Sequence, residues 1–137
     1  MLNCLAIVGL GSIGRRHLRL ISEIRPDIKI IVVRSGHGSA CDEEKMAVKV
    51  TDSIGDAIKE GIQAAIISSP ATLHLKQSLE LAKNGIHLLI EKPISHTSDR
   101  VKELLKIVNE NRITIMVGYV LRYDLGAMKF KNWLDNK

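Results

Sequence analysis

A chain of 137 residues, 45% apolar and 26% charged, has the composition of one folded domain with a real core and is short for a two-domain enzyme. No apolar run approaches the roughly 18–20 residues that span a bilayer, and Met1-Leu2-Asn3-Cys4 enters a strand almost at once, so neither a membrane span nor a signal peptide is expected and the protein reads as cytoplasmic. The net charge of +5 comes from scattered Lys and Arg with no basic block among aromatics, which argues against nucleic acid and suits an anionic small ligand.

Cys4–Val8 is an apolar run that predicts a buried strand. Cys4 at its start reads as a small buried hydrophobe; it forms no CxxC pair or metal-ligand cluster with Cys41, and no metal site is expected. Gly9-Leu10-Gly11-Ser12-Ile13-Gly14 follows directly, and Ser12–Ile24 continues with helical periodicity, placing Ile13, His17, Leu20, Ile21 and Ile24 on one face before Pro26 stops it. A GxGxxG string alone is weak; between a buried strand and an amphipathic helix it has a mechanism. Gly9 permits the tight turn, Gly11 leaves room for a pyrophosphate to approach the backbone, and Gly14 lets helix and strand pack closely. The N–H groups of Ser12 and Ile13 at the helix start then face the phosphates, helped by the helix dipole. The competing interpretation is an ordinary glycine-rich turn.

A second strand, rich in β-branched residues, is expected over 28–33, ending in Val33-Arg34-Ser35. NAD-selective folds place an acidic residue near this position, on the adenosine ribose hydroxyls. Arg34 instead offers a forked guanidinium to a 2′-phosphate, which tilts the expectation from NAD towards NADP; Asp42 or Glu43 folding back keeps NAD open. Residues 34–44 read as a loop with a short helical turn near Asp42–Met46. A third strand (48–50) precedes a helix (52–59) capped by Thr51 or Asp52.

Ala64–Ile67 predicts a fourth strand, followed by the turn Ser68-Ser69-Pro70, with Thr72 as cap of a helix over 73–84 and Gly85 beyond its end. A fifth strand (86–90) ends at Glu91-Lys92-Pro93, where two charges interrupt an Ile/Leu run at a carboxyl strand end. A lysine there can hold a substrate hydroxyl and help its proton leave; a surface ion pair beside a turn proline is the plainer alternative. A helix over 98–109, with Val101, Leu104, Leu105 and Val108 inward, and a strand over 113–117 complete the rhythm. The alternation predicts an α/β fold, a doubly wound and mainly parallel Rossmann-like sheet. Tyr119, Tyr123, Phe130 and Trp133 all fall after Gly118, on a last helix that either covers the sheet or meets a second domain or subunit.

Gly9–Gly14 with Arg15-Arg16-His17, Ser68-Ser69-Pro70 with His74, Glu91-Lys92-Pro93, and Gly118-Tyr119 with Leu121-Arg122-Tyr123 occur in order along the whole chain. Together they resemble the N-terminal domain of the Gfo/Idh/MocA oxidoreductases, the glucose–fructose oxidoreductase and inositol dehydrogenase family. The resemblance implies NAD(P)-dependent oxidation of a sugar or cyclitol hydroxyl, with Lys92 as the catalytic lysine. It also implies that Glu91 and Pro93 shape the nicotinamide pocket, and that Ser68, Ser69, Pro70 and His74 line the cofactor. By their place at the end of the second strand, Arg34 and the hydroxyl of Ser35 fall at the adenosine end. Tyr119 and Arg122 would face the substrate. Residues 1–118 are then the dinucleotide-binding domain and 119–137 the crossover towards a substrate domain that this sequence lacks. Catalysis by this chain alone is accordingly not expected without that domain, and the alternative function is a non-catalytic dinucleotide-binding module or truncated fragment.

Overall fold

The computed structural model describes residues 1–37 and 39–136. Six strands, β1 (Cys4–Val8), β2 (Lys29–Val33), β3 (Lys49–Thr51), β4 (Ala64–Ile67), β5 (His87–Ile90) and β6 (Ile115–Val117), form one sheet in the order β3-β2-β1-β4-β5-β6. Every adjacent pair is parallel. The helices are α1 (Ser12–Ile24), α2 (Ile54–Lys59), α3 (Ala71–Lys83), α4 (Val101–Glu110) and α5 (Leu125–Asp135).

The strands are apolar runs because both faces of the central sheet are covered. Side chains alternate across it: Ala6, Val8, Ile31, Val33, Ala65 and Ile67 join a core with α2, α3 and α4. Leu5, Ile7, Ile30, Val32 and Ile66 face the other way, onto Leu18 of α1. The strand order reverses between β1 and β4, so the loops leaving these neighbours diverge to opposite faces and open a crevice at their carboxyl ends.

Several local expectations are corrected. In α1 the buried residues are Gly14 and Leu18; Ile13, Leu20 and Ile24 are exposed. The apolar side chains of α1 spread over one broad arc, and the close approach at Gly14 turns the Leu18 edge of that arc, not the edge of Ile13, Leu20 and Ile24, towards the sheet. Neither Thr51 nor Asp52 caps α2: Thr51 stays paired with Val33 in the sheet, and Ser53 Oγ accepts from Asp56 N at 3.2 Å. Thr72 lies inside the first turn of α3, which starts at Ala71 after Pro70. In α4 Leu104 and Val108 are buried while Leu105 points outward. The last helix does not cover the sheet: α5 has no buried residue, and Phe130 and Trp133 stack on each other on its surface with ring centroids 6.0 Å apart. No helix among the described residues is long and apolar enough to cross a membrane.

Candidate functional site

At the reversal point the three glycines divide their duties. A Cβ on Gly9, whose φ is +93°, would stand 2.5 Å from Ser69 N, and one on Gly14 would stand 2.0 Å from the Gly9 carbonyl oxygen. These two glycines let β1, α1 and the β4 turn touch backbone to backbone. Gly11 is different: a Cβ there meets nothing within 4 Å. It sits at the N-cap of α1 with no side-chain cap, so the first-turn amides lack intrahelical partners and face outward over open space.

That space is a cleft of about 820 Å³. The β1 turn contributes Gly9, Gly11, Ser12 and Ile13; the end of β2 contributes Arg34, Ser35 and His37; the β4 turn contributes Ser68, Ser69 and Pro70. Ser68 ties two of these walls together, its N–H donating to Val8 O at 2.8 Å and its hydroxyl to Gly9 O at 2.7 Å. Gly14 lies beneath the cleft floor rather than on its lining.

His74 is buried and stands behind the cleft, bridging two loops. Its Nδ1 is 2.8 Å from Pro93 O and its Nε2 is 2.7 Å from Ser69 O. Both partners are backbone carbonyl oxygens within hydrogen-bond distance of the ring. The ring therefore couples the Ser68-Ser69-Pro70 turn to the Lys92–Pro93 peptide, which is cis. Ser69 Oγ donates in turn to Gln77 Oε1 at 2.6 Å, a cleft residue one turn after His74 that sequence reading missed.

Glu91 and Lys92 part company at the end of β5. Glu91 Oε1 accepts from His17 Nε2 at 2.8 Å, which fastens the strand end to α1. Its carboxylate also packs against Gly118, where a Cβ would come within 3.2 Å. Lys92 is exposed and lines a separate small cavity of about 360 Å³ with Tyr119, Leu121 and Arg122. The structure thus brings Lys92 together with the two residues expected on the substrate side.

Arg34 stands on the cleft wall, but its guanidinium turns into its own loop. Nη1 donates to the Glu44 carboxylate and to Ser39 O (3.2 Å), and Nη2 to His37 O (3.0 Å) and Ser39 O (3.2 Å). The acid that folds back is therefore neither Asp42, which pairs with Lys45 at 2.7 Å, nor Glu43, which pairs with Arg19. Glu44 is selected because the Asp42–Met46 turn places it back over Cys41, whose N–H donates to it at 3.3 Å. The only signal for it in the sequence was the acidic run itself. Among the described residues no group of three or more His, Cys, Asp or Glu is placed to hold a metal ion.

Comparison with known proteins places this arrangement. A family model described as "Oxidoreductase family, NAD-binding Rossmann fold" (GFO_IDH_MocA) matches residues 4–119. The uncharacterized oxidoreductase YrbE of Bacillus subtilis is 30% identical over 134 residues, covering 95% of this chain and 39% of that protein. Inositol 2-dehydrogenase of Rhizobium meliloti is 27% identical over 132 residues, covering 95% of this chain and 40% of the relative. The scyllo-inositol dehydrogenase of Lactobacillus casei, solved with NAD(H) and scyllo-inositol, shares the fold with a TM-score of 0.82 at 21% identity, over 99% of this chain and 42% of that one. The WlbA dehydrogenase of Bordetella pertussis, solved with NADH and UDP-GlcNAcA, has a TM-score of 0.85 at 20% identity, over 99% of this chain and 43% of that one. The chain spans about two fifths of the length of these relatives.

Proposed function

The chain belongs to the Gfo/Idh/MocA oxidoreductase family and carries its NAD-binding Rossmann domain, and on that premise we propose that it holds a nicotinamide dinucleotide along the β1–β4 cleft for hydride transfer to or from a secondary hydroxyl of a sugar or cyclitol. Residues 1–118 act as the dinucleotide-binding domain and 119–137 as the crossover to a further domain that completes the substrate site. The exposed aromatic face of α5 is the surface that meets that domain or a partner chain, and the protein works in the cytoplasm.

The observation that carries this reading is the open space over Gly11 at the strand-order reversal, in a cleft lined by the β1 and β4 turns. A cradle with no Cβ, facing first-turn amides, fits a pyrophosphate. The amides of Ser12 and Ile13 bind it, Gly9 and Gly14 hold the turn in place, and Ser68, Ser69 and Pro70 run along the nicotinamide half. Arg34 and Ser35 bound the adenosine half, with the choice between NAD and NADP made there. The dinucleotide supplies the carbon that takes or gives hydride.

At the substrate end Lys92 Nζ hydrogen-bonds the reacting hydroxyl oxygen and relays its proton towards solvent as hydride departs. Glu91, held by His17, and Pro93, held by His74, fix the backbone on either side of that lysine. Tyr119 and Arg122 share its cavity and orient the substrate's remaining hydroxyls. Turnover with a panel of sugars and cyclitols, measured with a substrate domain supplied and compared with Lys92→Ala, tests the catalytic half: activity lost in the variant supports it. A second reading, a dinucleotide-binding module without turnover, is favoured by the exposure of Lys92 and Tyr119 in a cavity open to solvent. Binding with no turnover in either protein would support that one.

A further inference from the structure

We infer that Glu44 sets the cofactor preference of the cleft: by engaging Arg34 it makes the adenosine end select NAD(H) over NADP(H), an inference that rests on the dinucleotide reading above. An arginine at the end of β2 is the residue type that forks onto a 2′-phosphate. In this structure that fork is already taken. Nη1 donates to the Glu44 carboxylate, and both Nη atoms donate to carbonyls of the same loop, at His37 and Ser39. The two side chains are only 16% and 19% exposed, so water screens the pair weakly.

Glu44 is not a swinging surface acid. The Asp42–Met46 turn fixes its backbone, and the Cys41 N–H donates to the same Oε1 that meets Arg34. A 2′-phosphate arriving at Arg34 would have to take the guanidinium from this carboxylate or sit beside a like charge. A 2′-hydroxyl brings no charge and meets neither penalty. The rest of the described lining does not compensate: beside Arg34 it carries one further lysine, Lys76, and two acids, Asp52 and Glu80, so with Arg34 engaged the Lys and Arg charge is not in excess there.

The test is titration of the folded chain with NADH and with NADPH, in the native protein, in Glu44→Gln, and in Glu44→Gln combined with Arg34→Leu. Glutamine keeps an acceptor for the Cys41 N–H and removes only the charge. The native chain is expected to bind NADH about tenfold or more tighter than NADPH. Glu44→Gln should narrow that ratio about tenfold, mainly through tighter NADPH binding, and adding Arg34→Leu should erase the gain. A native chain that binds NADPH as tightly as NADH, or a folded Glu44→Gln protein with an unchanged ratio, would overturn the inference. Should Glu44→Gln fail to fold, competition on the native chain decides: 5′-AMP should displace NADH at least as well as 2′,5′-ADP, and the reverse order refutes the idea. Folded native protein that binds neither dinucleotide refutes the dinucleotide reading itself, and this inference with it.

Discussion

A Cβ on Gly14 would stand 2.0 Å from the carbonyl oxygen of Gly9, whereas one on Gly11, between them in sequence, would touch nothing within 4 Å. Residues of one type in one motif therefore answer to different constraints. Gly14→Ala forces α1 away from the β1 turn and should destabilise the fold by about 1–3 kcal/mol or more, read from urea unfolding. Gly11→Ala should leave stability within about 0.5 kcal/mol, since its φ of −72° suits any residue. Its methyl group fills the phosphate cradle instead, so NADH affinity should fall about tenfold or more. Equal effects of the two substitutions on stability would contradict this division.

His74 joins the Ser69 and Pro93 carbonyls across the rear of the cleft. His74→Ala leaves a buried void and two part-buried acceptors without their donor, a loss on the order of 3 kcal/mol. The effect should spread to the strand end. Hydrogen exchange of the Glu91 amide, which donates to Ile67 O at 2.9 Å, should quicken more than that of β1 amides. Uniform quickening across the sheet would mean that His74 contributes only bulk packing.

The two thiols should separate by reactivity. Burial at the start of β1 pushes the Cys4 thiol above its ordinary value, outweighing the lowering by Lys29. Cys41 is half-buried at the edge of the Asp42–Met46 turn. A thiol reagent at mildly alkaline pH should label Cys41 in the native protein and Cys4 only on unfolding; rapid double labelling would show that β1 opens readily.

Acid should weaken the fold slightly. Asp27, Asp56 and Glu103 are held below their ordinary values, first by hydrogen bonds from Arg25, Lys59 and Arg100. A carboxyl depressed in the folded state contributes stability that is present above its unfolded pKa and lost as pH falls through the folded one. The urea midpoint should therefore be steady above about pH 5 and decline below about pH 4. These pairs are exposed, so the decline should be small and should shrink in high salt. A midpoint that rises on acidification would contradict the assignment.

The strands and their order of appearance were legible because a parallel sheet covered on both faces leaves uninterrupted apolar runs at Cys4–Val8, 30–33 and Ala64–Ile67. The helix α1 was legible as a helix but not in its rotation. Ile13, Leu20 and Ile24 compete with Leu18 for the inward stripe, and the contact at Gly14 that decides between them is tertiary. The partner of Arg34 was hidden for a related reason. Asp42, Glu43 and Glu44 are chemically alike in sequence, and only the turn that carries them directs one to Arg34, one to Lys45 and one to Arg19. His74 was singled out through the family resemblance. Its bridge between two loops depends on the Ser69 and Pro93 carbonyls lying on either side of one buried ring, which no local pattern announces.

Calorimetric titration of the folded chain with NADH tests the central claim most directly. Saturable binding at one site per chain, in the micromolar range or weaker and lost in Gly11→Ala, is the predicted result. No heat of binding from protein shown to be folded, or binding that Gly11→Ala leaves unchanged, would contradict the placement of a dinucleotide over that glycine.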